Sequence, residues 1–537
     1  MFVDLSFAYT YIYTFIGPSK PNLAASIKIA RYKEKIIMKR LGVIDIGSNS
    51  VRLVLVDITA QGHFKIFNEF KETVRLGETD SNGMLTSEKM QVALETLEMF
   101  KTICEAVRAD EIITAATAAV RRAPNKNDFL SLVYERLGLR IRVLSGEEEA
   151  YYAYCGVINS IDEKSGLIMD LGGGSTELVH FENGKVKNSI SLPFGAIDVT
   201  RMFDTSRSVA PEQAQALRNF LFDELGKVVW LKELKNNVPL IGVGGTIRNI
   251  GKIDKKAKDY PLDMAHYYTL DPSSVHSVYE LTRERTLEQR IKIKGLSRDR
   301  ADIFFGACAV VWHILEYCGA GRLVVSGSGL REGLVYDYIG SSYSPVGNIL
   351  DFSLNNIISQ FSINRVHAFQ VYKLASSMYV QLEALFGKSR EFEKVLKTAA
   401  LLHDSGISIN FYSHDSHAFY MILNSGISGL THREILMSAY AASLHRNTKL
   451  KLKWKQYSQI LSEDDVKTIM KISMLLRLAE SLDTCMDNFI DDIKCSIDGD
   501  TVVMTPMAKK KPNVEISRAL YSKNDFEHVF GKKLIIQ

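Results

Sequence analysis

The sequence predicts an α/β fold made of two like halves, followed by an all-helical domain and a small β-rich C-terminal module. Three observations predict it. First, a strand–glycine-loop–strand pattern occurs twice, at Val43-Ile-Asp45-Ile-Gly47-Ser48-Asn49-Ser50 and at Ile168-Met-Asp170-Leu-Gly172-Gly173-Gly174-Ser175. Second, further pairs follow in the same order, Thr114 to Arg121 with Gly242 to Arg248, and Ile141 to Gly146 with Leu323 to Gly327. Paired features in one order make an internal duplication. Third, the turn-forming stretch 341–348 is followed by near-continuous helical pattern to about residue 486, which holds six of the 12 histidines.

Composition sets the class. A chain of 537 residues exceeds one core and implies several domains. With 46% hydrophobic and 24% charged residues it reads as ordinary globular protein, neither disordered nor membrane-embedded. The 6 cysteines are scattered, with no Cys-x-x-Cys pair, which argues for reduced, cytoplasmic thiols and against a zinc ribbon. A net charge of +4 is too mild to imply nucleic acid; it suits a polyanion only where positive charge clusters.

Residues 1–40 read as an N-terminal extension. Phe2 to Ile16 is apolar and aromatic, but it is interrupted by Asp4 and falls short of the ~20 residues a spanning helix needs. Its basic residues follow the apolar run, whereas a secretory signal puts them first. The expectation is a start-site artefact or a dispensable extension, with no stable membrane span.

The first half, 41–145, opens with β-rich runs at 43–58 and 63–70. Thr86 to Val107 carries apolar residues at helical spacing. A strand at 112–116, a helix near 127–137 and a strand at 141–144 complete it. Ser145-Gly146-Glu147-Glu148-Glu149 is a helix start with acids in its first turn, where they complement the helix dipole. The second half, 146–340, holds strands at 166–171 and 240–243, helices at 211–229 and 298–317, and a last helix starting near Arg331 and Glu332, which read as a structural pair.

The glycine loops carry the chemistry. Gly172, Gly173 and Gly174 have no side chains to hold a ligand's oxygens away, so the backbone N–H groups can converge on a phosphate. Asp170 and Glu177 bracket that turn, and carboxylates beside phosphate commonly hold a hard cation such as Mg²⁺. The alternative is a glycine hairpin with a chance acid at either end. Its recurrence at Asp45 favours two loops facing each other across a cleft for a phosphate chain.

The duplicated Asp-x-Gly loops resemble the actin, hexokinase and acetate-kinase fold, a ribonuclease H-like architecture. DIGSNS (45–50), SGEEEA (145–150), DLGGGSTE (170–177), GVGGT (242–246) and SGLREG (328–333), in this order, resemble the exopolyphosphatase / guanosine pentaphosphate phosphohydrolase family over residues 41 to about 338. The later chain resembles that family's long form. The resemblance implies that Glu149 is the catalytic base, with Arg121 matching a family arginine that touches phosphate, and it implies a homodimer. Asp45, Asp170 and Glu177 would arrange Mg²⁺. The backbones of Gly47, Ser48, Asn49, Gly172–Ser175 and Gly244, Gly245, Thr246 would cradle the terminal phosphate.

The domain at 348–487 resembles the HD phosphohydrolases. His367, His403, Asp404 and Asp483 match the four metal-ligand positions of that superfamily, and His414, His417, His432 and His445 could add to them. The alternative is that these histidines are hydrogen-bonded core residues. Because the resemblance puts the phosphatase chemistry in the front half, a second divalent ion here is expected to be non-catalytic. After His445, Lys449, Lys451 and Lys453 alternate with apolar residues, either as a guarded strand edge or as a rail for a polyphosphate chain. Residues 488–537 read as a β-rich module ending near Phe526 to Gly531.

These readings converge on an exopolyphosphatase: Mg²⁺-dependent hydrolysis of terminal phosphate from inorganic polyphosphate by activated water. The alternative substrate is the 5′ γ-phosphate of guanosine pentaphosphate. A sugar or acetate kinase on the same fold, or an inactive polyphosphate sensor, fits less well, since no acceptor pocket is visible and the acids at 45, 149, 170 and 177 are intact.

Overall fold

The computed structural model describes residues 39–234, 237–342, 347–387, 391–446 and 454–537. The N-terminal extension to residue 38 and the three lysines 449, 451 and 453 lie outside the described residues.

In the front half β1 (Lys39–Ile46) and β2 (Val51–Ile58) are buried almost continuously, as central strands are, whereas β3 (Phe64–Glu72) is mostly exposed at the edge. Helix α1 (Ser87–Ala106) starts at Thr86, whose side chain accepts from Lys89 N and caps it. β4 (Glu111–Ala116), the short α2 (Ala118–Arg122), α3 (Lys126–Leu137) and β5 (Ile141–Val143) follow. The sheet order is β3-β2-β1-β4-β5, antiparallel on the β2 side and parallel on the β4 side.

Helix α4 (Gly146–Ile158) leads into the second half, with β6 (Ser165–Leu171), β7 (Thr176–Glu182), β8 (Lys185–Leu192), α5 (Ala196–Met202), α6 (Pro211–Gly226), β9 (Pro239–Val243) and α7 (Gly245–Ala257). β10 (Thr269–Leu270), α8 (Pro272–Arg283), α9 (Leu287–Arg290), α10 (Phe304–Tyr317), β11 (Arg322–Val325) and α11 (Leu330–Ser342) complete it. Its sheet runs β8-β7-β6-β9-β11, with β10 added at the far edge. Strand for strand this is the order of the first sheet, so the duplication read from the loops is also a duplication of topology. The halves are interlocked by α4 and α11. Tyr152 of α4 and Leu334, Val335 and Ile339 of α11 pack on the first sheet, while Ala150 and Val157 of α4 pack on the second.

One expected element is shorter. The helix expected from 298 begins only at Phe304, and Arg298–Arg300 make a single 3₁₀ turn. Ion pairs explain it: Asp299 meets Lys71 and Asp302 meets Arg75 of the first half, at 2.5 and 2.9 Å. They draw this segment towards the first half and out of helical register.

The rear body contains α12 (Ile349–Phe361), α13 (Arg365–Gln381), α14 (Glu393–Leu402), α15 (His414–Asn424), α16 (His432–Ser443) and α17 (Glu463–Ser481). Strands β12 (Ile490–Asp498) and β13 (Thr501–Ala508), helices α18 (Asn513–Leu520) and α19 (Lys523–Phe530), and β14 (Lys533–Ile536) end the chain. Residues 523–530, expected in a β-rich module, are helical. One apolar core runs from Leu350 through Leu475 to Phe526 and Ile536, so the last segment packs as part of the helical body. The rear body docks on the front through hydrogen bonds: Phe64 N donates to Asn356 Oδ1 at 3.1 Å, Gly429 N to Ser160 O at 3.0 Å, and Gln459 Nε2 to Lys258 O at 3.0 Å.

Among the described residues no helix is long and apolar enough to cross a membrane. All six cysteines are free.

Candidate active site

The two glycine loops close in the same way. Gly47 N donates to Ser50 O at 3.1 Å and Gly172 N to Ser175 O at 3.0 Å. They also meet each other, since a Cβ on Gly173 would lie 2.9 Å from Ser48 Cβ. Side chains there would push the loops apart, which is the physical need for glycine at this point. A third loop comes from Gly244, whose φ of +106° suits glycine, at the start of the 13-residue α7.

These loops line a cleft of about 150 Å³ between the halves. Gly47, Ser48, Asn49, Gly172, Gly173, Gly174, Ser175, Gly244 and Gly245 form its wall, together with Asp45, Glu149, Asp170 and Glu177. The expected Thr246 is not in the wall; it lies inside the first turn of α7, buried. Four arginines the sequence reading did not assign to the site also line the cleft: Arg52, Arg248, Arg300 and Arg331. Arg300 reaches it because the 3₁₀ turn at 298–300 lays its guanidinium over Gly245. Arg331 and Glu332, expected as a structural pair, are 3.8 Å apart. Arg331 also bonds Glu69, more closely at 2.7 Å, while Glu332 accepts from Gly329 N at 2.8 Å.

Each carboxylate has a distinct setting. Asp170 and Glu177 are direct cross-strand partners on β6 and β7. Burial, then the like charges of Glu177 and Asp45, push Asp170 up to about 7. Asp45 is raised by burial, opposed by Arg331 and Arg52. Glu177 is raised by burial, opposed by hydrogen bonds from Ser191 (2.8 Å) and Ser175 and by Arg121. Burial, then Arg331 and Arg248, bring Arg52 down to about 10.

The first turn of α4 separates its three glutamates. Glu148 closes a capping box, accepting from Ser145 N at 2.8 Å while Ser145 Oγ accepts from Glu148 N at 3.1 Å. It also pairs with Arg142, outside the cleft. Glu149, one residue on, turns inward and is 6% exposed. Arg121 lies behind it, ion-paired to Glu149 and donating to Leu144 O at 2.9 Å. It does not line the cleft, so its nearest partner is the carboxylate of Glu149.

In the rear body, ligand atoms of His367, His403 and Asp404 gather within 4.8 Å, as do those of Asp404, His414 and His445. Asp483 is set back from both groups, with Oδ2 2.7 Å from His367 Nδ1. His432 belongs to neither: its Nε2 donates to His266 O at 2.8 Å and its Nδ1 accepts from Tyr260 at 2.9 Å.

The sequence model of the Ppx/GppA phosphatase family matches residues 54–342, and that of the family's domain III matches residues 349–501. Among solved structures, a Ppx/GppA family member from Aquifex aeolicus is 29% identical, with a TM-score of 0.51; the match covers 57% of this chain and 100% of that one. An exopolyphosphatase from Cytophaga hutchinsonii, 24% identical with a TM-score of 0.53, likewise covers 57% of this chain and 100% of its own, and shares the fold.

Proposed function

The chain belongs to the Ppx/GppA phosphatase family, and on that premise we propose that it hydrolyses the terminal phosphoanhydride bond of inorganic polyphosphate with water as nucleophile. The observation that carries this reading is the placement of Glu149. A buried carboxylate stands in the wall of a cleft that also presents glycine loops, arginines and the acids Asp45, Asp170 and Glu177, which is the equipment for holding phosphate and activating one water.

The loop N–H groups and Arg52, Arg248, Arg300 and Arg331 would bind the phosphates. Several guanidiniums exceed the need of one terminal phosphate and suit a ligand with consecutive ones. Glu149 would take the proton of the attacking water while Arg121, paired to it from behind, keeps it oriented. The proton released would neutralise the departing phosphate. The cleft wall contains no cysteine, and no serine there has a histidine beside it to serve as a nucleophile's base.

The residues also fit a divalent cation. Asp45, Asp170 and Glu177 are carboxylates whose pKa values are raised, first of all by burial, and a bound cation would offset that. Among the described residues no three of them converge as a closed ligand set, which suits Mg²⁺, since it keeps waters and binds through one or two carboxylates plus substrate phosphate. Bound there, Mg²⁺ would neutralise charge developing on the phosphoryl oxygens.

A second reading, guanosine pentaphosphate as substrate, is favoured by a cavity of about 710 Å³ sharing Glu332 with the cleft. Phe64, Tyr336, Phe352, Asn356 and Gln360 line it, aromatic and amide groups suited to a nucleoside more than to bare phosphate. Phosphate release from long-chain polyphosphate, guanosine pentaphosphate and ATP, compared with and without Mg²⁺, orders the two. Release from none of them overturns both.

A further inference from the structure

The second glycine loop owes part of its shape to a residue of the first half. Three of its carbonyls are held in a row. Gly172 O accepts from Ala196 N at 3.0 Å and Gly173 O from Ile197 N at 2.8 Å, both donors lying at the start of α5. Gly174 O accepts from the guanidinium of Arg122, which ends α2 in the other half. Arg122 is steadied in turn by Asp198 of α5, 3.3 Å away, whose Oδ2 also accepts from Gly195 N at 3.1 Å.

The first loop shows what the third contact is for. Aligned on Asp45 and Asp170, Ser48 matches Gly173 and Asn49 matches Gly174. Ser48 O accepts from Gly77 N at 2.8 Å and Asn49 O from Arg75 N at 3.0 Å. Both copies of the duplication therefore hold the same two carbonyls. In the first copy, backbone N–H groups of the same half hold both. In the second, the Gly174 carbonyl is held by a side chain reaching over from the opposite half.

No peptide bond among the described residues is cis, so each carbonyl and the N–H that follows it point opposite ways. Fixing the carbonyls of Gly172, Gly173 and Gly174 thus turns the N–H groups of Gly173, Gly174 and Ser175 the other way. None of these three has an acceptor among the described residues. All three residues line the cleft, and Arg122 does not. Successive open N–H groups make a seat for phosphate oxygens. The first two are oriented by backbone bonds within the second half. The third depends on Arg122, because Gly174 has no Cβ to resist rotation of the peptide that follows it.

We propose that Arg122 is a positioning residue: from the opposite half it holds the Gly174 carbonyl so that the Ser175 N–H faces the terminal phosphate. This role rests on the phosphate reading of the cleft. Arg122 acts through the Gly174–Ser175 peptide and not on the substrate itself. The seat is complete only while the two halves stand in this relation.

The test uses the full-length chain labelled with ¹⁵N-serine. The Ser175 amide resonance, identified by its loss in Ser175→Ala, reports on the seat independently of turnover. Inorganic phosphate should shift it in the wild type, and Arg122→Met should raise the phosphate concentration needed for half the shift by roughly 10-fold or more. With tripolyphosphate, kcat/KM of Arg122→Met should fall roughly 10–100-fold and mainly through kcat, since such a donor counts most where charge develops. Arg122→Lys, which keeps one donor of similar reach, should recover most of both losses. Asp198→Asn removes the ion pair but can still accept from Gly195 N, and should change neither reading by more than about 5-fold. The Arg122 side chain is 40% exposed, so the fold should survive its loss, with melting curves as the check. If Arg122→Met does not fold, Arg122→Gln, too short to reach Gly174, takes its place. An equal response to phosphate in wild type and Arg122→Met overturns the positioning role, as does a loss that Arg122→Lys does not restore or that Asp198→Asn reproduces in full. A wild type that releases phosphate from tripolyphosphate with no shift at Ser175 overturns that role alone. Neither release nor shift in the wild type overturns the phosphate reading, and the role of Arg122 with it.

Discussion

Arg52 stands in the first hairpin where Glu177 stands in the second: Arg52 faces Asp45 across β1 and β2, and Glu177 faces Asp170 across β6 and β7. The two copies of the duplication thus differ in charge at one matched position. Opposite charges at the first pair restrain the rise of Asp45, while like charges at the second add to burial and lift Asp170 to about 7. The second hairpin is therefore the one that gains most from a bound cation.

Glu149→Gln should lower turnover by about 10²–10⁴-fold, the usual worth of a positioned base, with substrate affinity kept or tightened. Glu148→Gln, which leaves the cleft wall untouched and can still cap α4, is the control. Steady-state rates and substrate affinities of the two variants check this. Wild-type turnover from Glu149→Gln would sink the base assignment.

Gly245→Ala places a Cβ against the Arg300 guanidinium and should displace it from the cleft. Loss of one charge-assisted contact to phosphate should raise KM roughly 10-fold or more, with a smaller effect on kcat. An unchanged KM would mean that Arg300 does not meet the substrate.

Truncation after Ser342 removes the rear body but leaves both interlocked halves. The Aquifex aeolicus relative is matched over its whole length by 57% of this chain, so a chain of about the front's size suffices for the fold. The shortened protein should hydrolyse short phosphate chains and lose its preference for long ones. Rates measured against chain length, at low and high salt, check this; undiminished long-chain preference would exclude the rear body from binding.

Acid should loosen the front from the rear. Burial is the main cause that lowers His432 to about 4, with Lys255 and His266 also opposing its charge, and burial lowers His266. His266 Nδ1 accepts from Gly327 N at 3.0 Å, so it serves the front as a neutral ring. Between pH 6.5 and 4 the unfolded chain binds the proton that folded His432 refuses. The stability from this group is thus complete above about 6.5 and is lost as pH falls towards 4. The loss is about 3 kcal/mol at most. Melting curves of the wild type and His432→Gln between pH 7.5 and 5 should converge at acid pH. Parallel curves would show that His432 is not the responsible group.

Much of this was legible in the sequence because it is local. Asp45 with Gly47 and Asp170 with Gly172 sit within one turn of chain, so their spacing alone marked two glycine loops and a duplication. Ser145 and Glu148 likewise declared a helix start. Arg52 could have been found by carrying the repeat through, since it matches Glu177 in register.

What only the tertiary structure decided depends on contacts between distant segments. Arg300 enters the cleft because Asp299 and Asp302 are tied to Lys71 and Arg75, more than 200 positions away in the chain. Arg121 turned out to face Glu149, and Asp483 to stand behind His367, because helix and strand ends meet there in space. The Nδ1 atoms of His403, His414 and His445 bond backbone carbonyls, and a sequence records which residues are histidines but not what each ring nitrogen meets. Local chemistry fixes which groups are present; long-range packing fixes which of them confront each other once water is excluded, and there an unpaired charge or lone pair acquires its cost and its function.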